Sequence, residues 1–258
     1  MIKTNNLFKA EKKKLYYSKT FWIIAIVIGI LSIINTSSYL FNTSLTGLLG
    51  ADLVQKSANI ASSVNVFEAV LGSVDDGFIT LILIFVSIFV GTDFSLGTLK
   101  NVASRGFSKK NIYISILISS IYTIIVFLLI TMICSAVIGI VFFEKTPVTS
   151  GIILNFIETM SIKILLVFAI TSICVLITTI VRNVGFAIAA NLIIVRMIPS
   201  TIVMIYPSFS KYEISNELYK LAATSTSTTI LISGLIIALC YIVVSNVIGT
   251  FMFTRKDI

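Results

Sequence analysis

The sequence predicts an all-α membrane protein of six spanning helices with both termini in the cytoplasm. Three observations carry that prediction. First, 57% of the 258 residues are hydrophobic and only 12% are charged, with a mean hydropathy of +1.06; a soluble domain typically charges about 25% of its residues. Second, six apolar stretches reach the roughly 20 residues that a helix needs to cross the hydrocarbon core. Third, the nineteen Lys and Arg are sorted. With the N-terminus inside, thirteen of them fall in cytoplasmic segments and five outside, while Arg196 lies within a span. This is the positive-inside pattern, and it makes the chain a multi-pass protein of a cell membrane.

In chain order, residues 1–20 are expected to form a cytoplasmic interfacial helix. Leu7, Phe8, Leu15 and Tyr16 supply an apolar edge, with Lys9, Lys12 and Lys13 opposite. That arrangement suits an anionic lipid surface; an unstructured basic tail is the plainer alternative. The apolar run that follows is longer than a signal-peptide core and has no small-residue cleavage motif after it, so it reads as a true span. The spans are placed at 22–40, 74–93, 112–143, 161–181, 184–206 and 229–253. Backbone polar groups in lipid must bond internally, and ten-residue alternating segments are missing, so the spans are helices and not barrel strands. The third and sixth exceed the needed length and are expected to tilt or protrude. Outer loops fall at 41–73 and 207–228. The second ends in a Thr/Ser run, 224–229, that suits capping the last helix or a short re-entrant helix. Between spans four and five only Arg182 and Asn183 remain.

Composition narrows the chemistry. A net charge of +8 and a pI near 9.4 would suggest nucleic acid in a soluble protein; here topology accounts for the charge, and no nucleic-acid partner is expected. Histidine is absent, which removes His acid–base catalysis and His-ligated metals. Cys134, Cys174 and Cys240 all lie in apolar runs and read as packing residues. The glycines at 91 and 97 are not followed by Lys-Ser/Thr, so no phosphate-binding loop is expected there.

Three places stand out. In 94–111, Leu96, Leu99, Val102 and Ala103 make a helical stripe, Gly106 is placed to end the turn, and Ser108 to cap the next helix with Lys109 and Lys110 just inside it. The expected result is a short cytoplasmic helix, a break, then span three. Its mix of Phe94, Phe107 and Tyr113 with Lys100, Arg105, Lys109 and Lys110 suits docking to a soluble partner or to the membrane surface, although cationic inner loops are also ordinary topology signals. Arg196 is the intramembrane cation, with Asn191 one turn earlier as its expected partner. Pro199 is expected to kink or end that helix. Arg196 marks a pathway or an interface, or snorkels to the outer headgroups. Lys163 and Glu158 are expected to be interface anchors.

The run Asp93-Phe94-x-x-Gly97-Thr98-Leu99-Lys100-Asn101, then Ser104-Arg105-Gly106-x-Ser108-Lys109-Lys110-x-Ile112-Tyr113, leads into the third of six spans. In this it resembles the ABC-2 type permeases of bacteria, especially antimicrobial-peptide exporters of the lantibiotic-immunity and bacitracin types. The resemblance implies a type V-like exporter domain. About Thr98 to Asn111 would then be the coupling element seated in a separate ABC ATPase, with Leu99, Lys100, Val102, Arg105, Gly106, Phe107, Ser108, Lys109 and Lys110 at the contact. It also implies ATP and Mg held by that partner chain and no cofactor here. The chain would be a permease subunit and not an enzyme, with a second permease copy or homologue, membrane lipids and a hydrophobic or amphipathic peptide cargo as its other partners. Lipid, small-antibiotic or ion cargo stays open, as does a stand-alone channel or carrier. A carrier favours carboxylates at depth, whereas the acids here sit at span edges. An intramembrane protease fits poorly, because Asp75 and Asp76 are adjacent and point to different helix faces.

Overall fold

The structure is a computed structural model that describes residues 2–48, 66–142, 150–222 and 227–255, with backbone alone for 2–9 and 39–48. All the regular structure among these residues is helical. Helix α1 (Ile2–Tyr17) turns at Ser18 into α2 (Lys19–Leu48). After the segment outside the described residues come α3 (Val66–Gly72), α4 (Asp76–Ser95), α5 (Thr98–Ser104), α6 (Lys109–Phe142) and α7 (Ser150–Val181). Next are α8 (Val184–Asn191), a π-turn (Leu192–Met197) and α9 (Ile198–Ile205), which run on as one rod. A 3₁₀ turn (Pro207–Lys211), α10 (Ile214–Lys220) and α11 (Thr228–Arg255) complete the chain.

Six of these segments are long and apolar enough to cross a membrane: Lys19–Ser38, Asp76–Ser95, Lys109–Phe142, Ser150–Val181, Val184–Ile205 and Thr228–Arg255. They correspond to the six expected spans, with ends moved. The fourth helix begins eleven residues before the expected 161, because α-helical hydrogen bonding continues past Asn155 and Glu158, where hydropathy alone drops. Spans two and four form the centre of the bundle; spans five and six leave most of their surface open. The core is aromatic at its middle. Phe21 of span one stacks on Phe127 of span three at 5.4 Å, and Phe85 of span two meets Phe127 edge-on at 5.0 Å, an arrangement favoured by the ring quadrupoles.

Contacts sort the helix ends into two sets, as alternating spans require. At one end Lys14 reaches Asp93, Arg182 lies over Phe94, and Lys109 donates to the Thr254 carbonyl. We call this the basic end. At the far end Asn35 donates to Asp75, Lys163 to Leu71, Arg196 to Asp76, and Ser233 to Glu217.

Three expectations are corrected. The 41–73 loop is not all loop: α2 runs to Leu48, and α3 folds back with Ala69, Val70 and Leu71 buried. Pro199 does not end span five, which continues to Ile205; it sits in the first turn of α9, directly after the π-turn. Lys163 is not an interface anchor but 1% exposed, as α3 covers it.

Candidate functional site

The basic end carries the most organised group of charges. Asp93, in the last turn of span two, is 2% exposed. Its carboxylate accepts from Lys14 of α1 and, at 2.9 Å, from the Thr98 hydroxyl that opens α5. The same hydroxyl lies 3.1 Å from the Asp93 carbonyl. One buried carboxylate therefore joins the N-terminal helix, span two and the elbow beyond it. Glu11 stands beside the cluster, 3.8 Å from the Lys14 ammonium. Burial first, and the Asp93 charge second, push its carboxyl up to about 7, while Lys14 pulls the other way. Lys14 also lies 4.7 Å over the Phe89 ring, a favourable cation–π position.

The elbow is built by local rules. Leu96 closes span two, and Gly97 adopts φ +64°, a left-handed conformation that lets the chain reverse into α5. At the other end Gly106, at φ +82°, separates α5 from span three. Ser108 then caps span three, its Oγ accepting from the Asn111 amide at 3.3 Å. Within α5, Leu99 is buried, and Val102 and Ala103 pack partly on the core. Phe107 is also half-buried against the core. Leu96 leaves the expected stripe: it is 75% exposed, because the left-handed turn at Gly97 separates its face from that of α5. Lys100, Arg105 and Lys110 are exposed, with Gly106 and Ser108 beside them, and Lys109 is tied to Thr254. The elbow is therefore an apolar root with a cationic tip.

Helix α1 differs from its expected layout. Leu15 is buried and Tyr16 exposed, its hydroxyl 2.6 Å from that of Tyr122. Lys12 faces the bundle, 4.8 Å over the Tyr122 ring, while Lys13 is outward over Tyr17 at 6.0 Å. The side chains of Leu7 and Phe8 lie outside the described residues. Helix α1 thus packs along the base of span three.

Asn191 and Arg196 do not pair. Asn191 is fully buried and donates to Ser87 Oγ at 2.7 Å and Thr178 Oγ1 at 3.0 Å. Arg196 binds the Asp76 carboxylate at 3.1 Å, the Asp76 carbonyl at 2.5 Å and Thr80 at 2.6 Å. In a uniform α-helix residues five apart point about 140° away from each other; the wider π-turn between them lets both face span two. Residues 223–226, within the expected Thr/Ser cap, lie outside the described residues; the Ser227 hydroxyl accepts from Thr229 at 3.2 Å as α11 begins.

The Asp93 junction and the buried Lys163 were missed from sequence. Asp93 gave one usable signal, an acid at the end of an apolar span with a hydroxyl five residues on. Compared with protein-family models and with curated proteins, the chain matches none.

Proposed function

We propose that the chain is the membrane subunit of an ABC exporter, with α5 and its flanking glycines as the lever that a separate ATPase moves. The observation that carries this reading is the elbow itself. It is a short helix with a buried root, two left-handed glycine swivels, an exposed cationic tip, and a direct tie through Asp93 to α1 and span two. A partner that shifts the tip against an acidic cleft moves the end of span two and the N-terminal helix together. The cation distribution supports placing this end, with both termini, in the cytoplasm. ATP and Mg then belong to the partner. Span five leaves nearly all of its surface open, which suits lipid contact and a second permease copy, with the transport path between copies. Resemblance to antimicrobial-peptide permeases supports a hydrophobic or amphipathic peptide as cargo, exported across a bacterial cell membrane.

The test is a charge reversal at the tip, Lys100→Glu with Arg105→Glu, in a reconstituted complex with the candidate ATPase. Peptide-stimulated ATP hydrolysis is expected to fall about tenfold or more, as broken charge-assisted contacts do, with the thermal midpoint of the permease unchanged. Full stimulation in the double variant rejects the lever. A stand-alone carrier is the second reading, favoured by Lys163, an ionisable side chain buried inside span four. Transport by the purified chain in ATP-free vesicles would select it.

A further inference from the structure

At the far end a cavity of about 450 Å³ opens between the start of span two and α10, walled by Asp75, Asp76, Lys163, Glu213, Ile79 and Tyr219. Its size falls within the range of small-molecule sites. Most of its charges already have work. Asp76 is paired with Arg196 at 3.1 Å. Asp75 spends one oxygen on the Phe78 amide at 2.9 Å and accepts from Asn35 at 2.8 Å on the other. The Lys163 side chain donates to the carbonyls of Leu71 and Val74.

Glu213 is different. It is only 9% exposed, yet among the described residues its carboxylate has no hydrogen bond and no ion pair. It stands at the N-cap position of α10 but caps no amide. Burial, and then the neighbouring Asp76 charge, hold its carboxyl above the usual carboxylate range. Asp76 has Arg196 and Asp75 has two hydrogen-bond donors, so Glu213 is the carboxylate of this cavity left without a partner among the described residues. A carboxylate that faces an open cavity without a partner is free to take a charge-assisted hydrogen bond from a cationic ligand. Among the described residues no three acids converge closely enough to hold a metal ion. The Ile79 and Tyr219 walls favour a ligand with an apolar body.

We infer that this cavity binds an amphiphilic organic monocation, an ammonium or guanidinium on an apolar stem, with its positive head on Glu213. Equilibrium binding here requires neither the ATPase nor a second copy, so it stands apart from the lever assigned to α5.

The test uses the full chain in nanodiscs of zwitterionic phosphatidylcholine, titrated calorimetrically. The probes are n-decylammonium, n-decanol, and the blocked tripeptide acetyl-Leu-Lys-Leu-amide, which separates a free amphiphile from a peptide side chain as the source of the cation. Saturable binding is expected for at least one cationic probe and not for decanol. Glu213→Gln should weaken it about tenfold or more, whereas Glu158→Gln, an exposed acid outside the cavity, should leave it unchanged. If Glu213→Gln does not fold, Ser215→Lys, which tethers an ammonium to the cavity wall, should abolish binding. Equal binding of decanol, no saturable binding of either cation, or undiminished binding by the folded variant overturns the inference.

Discussion

The two ends of the bundle handle buried charge in opposite ways. At the basic end an acid, Asp93, is buried and shared by a lysine and a hydroxyl, while the elbow cations Lys100, Arg105 and Lys110 are left in the open. At the far end a cation, Lys163, is buried on backbone carbonyls, while acids line an accessible cavity. Asp93 and Lys163, buried charges of opposite sign, each tie helices together at their own end, while Lys100, Arg105 and Lys110 at one end and Glu213 at the other are left to meet a partner.

The largest effect should come from breaking the far-end anchor. Lys163→Met leaves the buried Leu71 and Val74 carbonyls without their donor and is expected to cost about 3–5 kcal/mol, read as a fall in the thermal midpoint in detergent. A smaller effect is expected at the basic end, and it depends on pH. Because the Glu11 carboxyl is raised to about 7 in the native state, the folded protein keeps a proton there that the unfolded chain releases near the ordinary carboxyl range. Stability is therefore fullest below that range and declines as pH rises to about 7, by on the order of 2–3 kcal/mol. Glu11→Gln should flatten the dependence, followed by hydrogen exchange of the α1 amides between pH 4.5 and 8. Asp93→Asn should loosen the same amides, and it should also lower the pKa of Glu11 by removing the second cause of its shift. Arg196→Gln removes a half-exposed bridge between spans five and two and should cost about 1 kcal/mol or less. Leu96→Ser, on an exposed position, should move the midpoint within about 0.5 kcal/mol. A large loss there would mean that the elbow is buried, contrary to its open tip.

The six spans were legible because hydropathy over twenty residues outweighs local detail. The glycine breaks and the Ser108 cap were legible because backbone geometry dictates residue type. What sequence left out depends on contacts between distant segments. Lys163 reads as a rim residue until α3, a seven-residue helix too short to signal a span, folds over it. Asn191 reads as a partner for Arg196 only while the helix between them is treated as regular; nothing in the composition of residues 192–197 announces a π-turn. Lys12 reads as lying opposite the apolar edge of α1, on an anionic lipid surface, yet the Tyr122 ring offers it a place against the bundle. That Glu213 has no partner follows from Arg196 reaching Asp76 instead, which only the assembled helices define.

The wide turn in span five has a consequence for deletions and insertions. A residue removed from 192–197 would let that stretch close as ordinary helix while both flanks keep their orientation, because the turn already holds one residue more than its rotation requires. The same loss inside span two would swing everything beyond it by about 100°, carrying Asp93 away from both of its partners. Loss of a single codon should therefore be tolerated in one crossing and ruinous in its neighbour.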